Sequence, residues 1–327
     1  MLAGPVQAQQ LPAVPEPPPV AMSSGILVDL GTGKVLWARN ERVRQAPASL
    51  TKILTALVIL ERLNLDQKAI ITPDARAAPG ARTYAEQGWT FTVRELLWGM
   101  LLQSGNDAAI ALAHRGSPDG TVEGFMKLAN ARAAQMGARD THFRNPHGYD
   151  SPGHLTTARD LAIITAGAMR EPVFAEMVAS RSHRLTWGDG QPHTFFNHNK
   201  LLARYPGTVG VKTGFTSSAG HCLASAVTRD GTTLLAIVLK SPNHYGESTA
   251  LYDWAFANLA GLRARSTDII QPAGRAADLV LYPDAAQTDA QRQRNGLPFA
   301  EGLPLLALGF AMSMTMLIVF RESILNP

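Results

Sequence analysis

The order of apolar patterns along the chain predicts an α+β fold, in which an antiparallel sheet built from both ends of one domain is covered by helices, with a helical subdomain between. Three observations carry this expectation. Apolar residues alternate over 24–40, recur at helical spacing over much of 49–169, and alternate again over 208–239.

Ile26, Val28 and Leu30, then Val35 and Trp37, flank Gly31-Thr32-Gly33 as a β-hairpin. From Ser49 to Leu63 the period changes. Leu50, Ile53, Leu54, Leu57, Val58 and Leu60 share a helical face, with Ser49 at the N-cap or in the first turn. Thr92-Val93-Arg94-Glu95 is a capping box that opens a second helix through Leu96, Leu97, Met100 and Leu101. Gln103-Ser104-Gly105 breaks it. A third helix follows from Asp107 to His114, and helical spacing recurs over 122–136 and 157–169. Thr208 to Val211 then leads as a strand into Lys212-Thr213-Gly214. Leu223–Thr228 and Thr232–Leu239 flank Arg229-Asp230-Gly231 as a second hairpin, and Tyr252 to Leu259 closes the domain as a helix.

These elements place the main domain at 21–261. Residues 1–20, with Pro12, Pro15 and Pro17 to Pro19, read as an extended leader or linker. The stretch from Ala3 to Gln10 looks like the cleavage-site end of an export signal, without the basic start and apolar run that would precede it. Residues 262–296 read as a stalk. Leu303 to Phe320 carries no charge and as a helix would span about 27 Å, so 297–327 is expected to be a C-terminal membrane anchor.

Composition narrows the chemistry. The 327 residues hold 30 basic and 26 acidic side chains without a basic stripe, which argues against a nucleic-acid partner. The single Cys222 excludes an intramolecular disulfide and a multi-cysteine metal site; beside a strand, it reads as a small core residue. Nine His are dispersed without a His-Glu-x-x-His pattern, and His147, before Gly148, reads as a loop residue. No cofactor or metal is implied.

Ser49-Leu50-Thr51-Lys52 sets a hydroxyl and an amine one helical turn apart on one face. A desolvated lysine, or one beside another cation, loses its proton near neutral pH and can take that of the serine. Ser104-Gly105-Asn106 sits at an interhelical bend that can aim polar groups into a cleft. Lys212-Thr213-Gly214 sits on a strand, where Gly allows close approach and Lys offers a charge to an anion. Each pattern alone has an ordinary structural explanation as a cap, a helix break or a strand end.

Together and in this order they resemble the penicillin-recognising serine enzymes. The chain is most similar to the D-alanyl-D-alanine carboxypeptidase family, the low-molecular-mass penicillin-binding proteins of peptidase family S11 type. Further matching stretches are Pro47-Ala48 ahead of Ser49, Thr141 to Gly148, Thr156 to Asp160, Asn197-His198-Asn199, and Phe215-Thr216 after Gly214. The resemblance covers about three quarters of the chain.

It implies a β-lactamase/transpeptidase-like fold and removal of the terminal D-alanine from peptidoglycan stem peptides through an acyl-enzyme. Ser49 would be the nucleophile, Lys52 its base and Ser104 the proton relay. Asn106 would hold the substrate amide, while Lys212 and Thr213 would face the terminal carboxylate. Gly214 would let the strand approach, and the backbone N–H groups of Ser49 and Phe215 would form the oxyanion hole. β-Lactam antibiotics would inhibit. The resemblance further implies a site facing the periplasm or cell exterior. Where relatives often carry a carboxylate-binding arginine, Asn243 to Glu247 has none, and Lys240 is the substitute nearest in sequence. Only the stalk stands where many relatives have a β-rich second domain, and the anchor reads as a span. A DD-endopeptidase would use the same residues. A serine β-lactamase fits less well, since Glu171 to Ala175 lacks the asparagine of a deacylating Glu-x-x-x-Asn, and an inactive cell-wall scaffold would not need the complete set.

Overall fold

The computed structural model describes residues 13–270, and its first hairpin pairs β1 (Ser24–Asp29) with β2 (Val35–Arg39). Asp29 shapes the turn by accepting from the Gly31 N–H at 2.9 Å and the Thr32 hydroxyl at 2.8 Å. A single 3-10 turn, Ala48–Leu50, precedes α1 (Thr51–Arg62). Then come β3 (Lys68–Ile70), α2 (Pro73–Arg76) and β4 (Thr90–Thr92), with β3 and β4 forming a small separate sheet. The capping box forms as predicted: the Glu95 N–H donates to Thr92 Oγ1 at 3.1 Å, and the Thr92 N–H donates to Glu95 Oε2 at 2.7 Å. It opens α3 (Val93–Leu102), and after the break α4 (Asn106–Gly116) begins. Thr121 and Thr157 cap α5 (Val122–Gln135) and α6 (Ala158–Ala168) by accepting from the N–H three residues on.

The chain continues through α7 (Pro172–Ala179), β5 (Ser182–Thr186), β6 (Pro192–Phe196) and α8 (Leu201–Arg204). It ends with β7 (Thr208–Thr216), β8 (Gly220–Arg229), β9 (Thr232–Leu239), α9 (His244–Ala257) and α10 (Leu259–Arg265). The main sheet is antiparallel with order β2-β1-β9-β8-β7, so strands from both ends of the domain meet at its centre.

Side chains alternate across a strand, and β9 is apolar on both faces. Leu235, Ile237 and Leu239 join the core shared with α1, α3, α4 and α6, whereas Leu234 and Ala236 pack with Tyr252 and Ala255 of α9. Each buried aliphatic side chain contributes about 1.5–3 kcal/mol by leaving water. The register aligns Ile26, Ile237, Ala224 and Lys212 in one row across β1, β9, β8 and β7. Lys212 therefore lies on the sheet face covered by the helical block, where a cation is stripped of water.

The structure departs from the sequence expectations at several places. The closing helix starts at His244, not Tyr252, because the Asn243 side chain caps it by accepting from the Gly246 N–H at 3.2 Å. Its first turns are polar, so apolar spacing understated its length. The β5–β6 hairpin was not anticipated: its strands lack apolar alternation, although Asp189-Gly190 is a turn signal. Tertiary aromatic packing stabilises it, with Trp187 stacked on Phe91 at 4.1 Å and edge-on to Phe195 at 4.9 Å.

The domain also extends past both expected boundaries. Val14 and Val20 pack on the sheet, and Trp254 Nε1 donates to the Pro15 carbonyl at 3.0 Å. Beyond Gly261, Arg263 pairs with the buried Asp29 at 2.7 Å, and the Ile270 N–H donates to the Gly33 carbonyl at 2.8 Å. The expected stalk residues 262–270 thus belong to the domain. Residues 1–12, the remaining stalk and the expected anchor lie outside the described residues. Among the described residues no helix is long and apolar enough to cross a membrane.

Candidate active site

Ser49 does not cap α1. It occupies the middle of the 3-10 turn just ahead of the helix, and neither cap residue there makes a side-chain cap bond. Its hydroxyl is left to Lys52, whose Nζ lies 3.1 Å from Ser49 Oγ. Lys52 is fully buried, and two further groups surround the same nitrogen, Asn106 Oδ1 at 2.7 Å and the His147 carbonyl at 2.6 Å. The Asn106 amide nitrogen donates to the Pro79 carbonyl, which fixes its oxygen on the Lys52 side.

Electrostatics follow from this burial. Desolvation, reinforced by the Lys212 ammonium and opposed by Asp107, holds the Lys52 pKa well below the ordinary lysine value. A neutral lysine has two N–H bonds and one lone pair. Asn106 Oδ1 and the His147 carbonyl can only accept, so they take the two N–H bonds and leave the lone pair facing the Ser49 hydroxyl. The arrangement suits a general base acting on a nucleophile.

Three contacts hold the turn that carries Ser49. Ala48 has a φ of 49°, in the left-handed region, and its carbonyl accepts from Thr51 Oγ1 at 2.9 Å. Thr51 Oγ1 in turn lies 2.9 Å from His154 Nε2. Because His154 Nδ1 accepts from the Arg144 N–H at 3.0 Å, the neutral ring carries its proton on Nε2 and donates it to Thr51. Burial pushes the His154 pKa down to about 4, so the neutral ring is the form present at pH 7. Gly148, with φ of 87°, packs on the same carbonyl, where an added Cβ would come within 1.8 Å of Ala48 O.

Ser104 is also left-handed, with φ of 61°, at the break between α3 and α4. The Gly105 N–H donates to the Gly99 carbonyl at 3.2 Å and the Asn106 N–H to Ala81 at 2.7 Å, which together pin the bend. Lys212 Nζ lies 3.0 Å from Ser104 Oγ and 3.1 Å from the Thr213 carbonyl. Burial pushes its pKa down to about 7, so near neutrality both its protonated and neutral forms are present beside the hydroxyl it touches.

A cleft of about 310 Å³ joins these groups, with Ser49, Ser104, Thr213, Gly214 and Phe215 in its walls. A Cβ on Gly214 would sit 3.0 Å from the Ser49 nitrogen, a tight contact, so glycine lets β7 pass the nucleophile's backbone without a shift of either. Lys52, Asn106 and Lys212 stand behind the cleft, each bonded to a serine in its wall or to the lysine that is. All eight expected residues are therefore brought together, but in two cases with unexpected partners. The amide of Asn106 is engaged within the protein, with its oxygen on Lys52. Lys212 meets Ser104 and is buried, where a carboxylate-facing position had been expected.

The sequence reading missed Ala81, Lys200, His221, His244 and Tyr245, which also line the cleft, together with His198 from one of the matching stretches. Lys240 does not line the cleft. No carboxylate does so among the described residues, and Glu171 caps α7 elsewhere. Cys222 is buried, and burial raises its thiol pKa to about 11, which leaves it inert.

The chain is similar to known proteins over most of its length. The family model described as D-alanyl-D-alanine carboxypeptidase matches residues 12–243. The chain is 38% identical over 241 residues to a D-alanyl-D-alanine carboxypeptidase of Mycobacterium tuberculosis, covering 71% of this chain and 81% of that one. It is 33% identical over 242 residues to one of Bacillus subtilis, covering 72% of this chain and 62% of the relative. Among solved structures, the DD-transpeptidase of Streptomyces K15 superposes with a TM-score of 0.70 at 32% identity, over 74% of this chain and 99% of that one.

Proposed function

The chain belongs to the D-alanyl-D-alanine carboxypeptidase family, and from that premise and the geometry at Ser49 we propose that it removes the terminal D-alanine from peptidoglycan stem peptides. The observation that carries this reading is the buried Lys52 Nζ 3.1 Å from Ser49 Oγ, with Asn106 Oδ1 and the His147 carbonyl on the same nitrogen.

In the first step the Ser49 oxygen attacks the carbonyl carbon of the scissile peptide while Lys52 takes its proton. The backbone N–H groups of Ser49 and Phe215 hold the developing oxyanion, and one such donor contributes roughly 3 kcal/mol to the transition state. As the tetrahedral intermediate collapses, the C–N bond breaks. The leaving nitrogen receives a proton from Ser104, which Lys212 resupplies across 3.0 Å. After Lys52 loses its proton to solvent and Lys212 regains one, water adds to the ester carbonyl with its proton passing to Lys52. The C–O bond to Ser49 then breaks, and Lys52 returns that proton to Ser49 Oγ, freeing the shortened peptide. Asn106 serves by orienting Lys52. A β-lactam would acylate Ser49 in the same way, and because its opened ring keeps the leaving nitrogen tethered beside the ester, where the leaving D-alanine would depart and admit water, its adduct would persist.

Such a substrate lies outside the cytoplasm. The reading therefore includes export, with the domain facing the periplasm or cell exterior and the apolar run from Leu303 to Phe320 anchoring it to the membrane.

The test is to incubate the protein with an acylated peptide ending in D-Ala-D-Ala, measure free D-alanine, and follow intact mass with benzylpenicillin. D-Alanine release and a lasting adduct, both lost in Ser49→Ala and Lys52→Arg, are expected; arginine stays protonated and cannot act as the base. A lasting adduct without release would exclude the carboxypeptidase. An adduct that clears within seconds as drug is consumed would favour a β-lactamase.

A further inference from the structure

A peptidase that removes a C-terminal residue receives a free carboxylate in its cleft, and that charge needs a cation or N–H donors to replace its water. The motif lysines are already engaged, Lys52 with Ser49, Asn106 and the His147 carbonyl, and Lys212 with Ser104 and the Thr213 carbonyl. Lys240, nearest in sequence to the missing arginine, is exposed beyond the cleft with its side chain along Gly220.

We propose that Lys200 is the cation that reads the free C-terminal carboxylate of the substrate. It lines the cleft that holds Ser49 and Thr213, and among the described residues its ammonium has no hydrogen-bond or ion-pair partner. Among the described residues no carboxylate in that lining competes for it.

Its backbone is held in place. The Lys200 N–H donates to the Tyr245 hydroxyl at 3.3 Å, and that hydroxyl donates to the His198 carbonyl at 3.0 Å. The neighbouring Asn199, buried, donates from Nδ2 to the Gly210 carbonyl at 2.9 Å, which ties the segment to the strand carrying Lys212 and Thr213. Ring contacts build the wall beside it. Phe215 meets His221 at 4.6 Å, His221 stacks on His244 at 4.9 Å, and His244 meets Tyr245 at 4.1 Å. Burial, with His221 and Lys200 nearby, lowers the His244 pKa to about 4. At neutral pH His244 is therefore an uncharged neighbour of Lys200.

The inference rests on the carboxypeptidase reading, and the test separates the two. An acylated Lys-D-Ala-D-Ala peptide and its C-terminal amide are compared as substrates of the full chain and of Lys200→Met, Lys200→Arg and Lys240→Met. Lys200→Met is expected to lose roughly ten- to a hundredfold in kcat/KM on the free acid, mainly through KM, with the amide little changed. Lys200→Arg should retain most activity on the acid, and Lys240→Met should match the parent. An equal loss on acid and amide, or no loss on the acid, overturns the proposal. If the parent chain cleaves neither peptide, the carboxypeptidase reading fails, and acylation by benzylpenicillin against its methyl ester decides the role of Lys200. Slower acylation by the acid alone supports it; slowing of both or neither overturns it.

Discussion

Asn106 presents its carbonyl oxygen to Lys52 Nζ at 2.7 Å and its amide nitrogen to the Pro79 carbonyl, so this side chain sets the direction of the base. Asn106→Asp places a carboxylate at that distance and favours the charged lysine, raising its pKa by about 1–3 units. The ascending limb of the acylation-rate profile with benzylpenicillin should move to higher pH by that amount, with about tenfold lost per unit at any pH below it. An unmoved limb would remove Asn106 from the control of Lys52.

Lys212 makes the fold's stability depend on pH in a stated direction. Its folded pKa of about 7 lies below the ordinary 10.5, so between these values the unfolded chain holds the extra proton. Stability contributed by this group therefore rises as pH increases from about 7 toward 10.5, and its full cost stands below 7. Lys212→Met should be more stable than the parent in urea at pH 7, with the difference shrinking as pH rises, and should be inactive. A pH-independent difference would contradict the assignment.

Gly148→Ala tests the support beneath Ser49. The added methyl would lie 1.8 Å from the Ala48 carbonyl at a φ of 87°, so the turn must shift or the fold must yield. A loss of about 2–4 kcal/mol in urea, with slower acylation in the fraction that remains folded, is expected.

Thr92→Ala is the complementary case, distant in role from the chemistry. It removes the hydroxyl that accepts from the Glu95 N–H, and should lower stability by about 1 kcal/mol without changing the rate of penicillin acylation. A change in acylation would show that α3 controls the placement of Ser104.

The elements legible in the sequence were those whose signal is local. The capping box at Thr92, the apolar spacing of α1 and the β8–β9 hairpin are each encoded within a few residues, because backbone propensity and one-face burial act at that range. Ser49 and Lys52 were legible for the same reason, as three residues bring them to one face. The resemblance then named the remaining site residues but not their partners.

Only the tertiary structure decided the rest. Lys52 and Asn106 are separated by 54 residues, and Lys212 and Ser104 by 108, so their hydrogen bonds depend on how α1, α4 and β7 pack. The pKa shifts of both lysines come from the desolvation that this packing imposes. Lys200 looks like any solvated lysine in sequence, and its place in the cleft follows from the Asn199 and Tyr245 contacts. The β5–β6 hairpin and residues 262–270 escaped notice because aromatic stacking and pairing with Gly33 and Asp29 stabilise them, not any pattern within themselves. The sequence by itself determined the order of elements and the chemical groups available. Which of those groups share a dry cleft, and in what protonation state, was decided by long-range packing, since burial belongs to the assembled fold and to no short stretch of the chain.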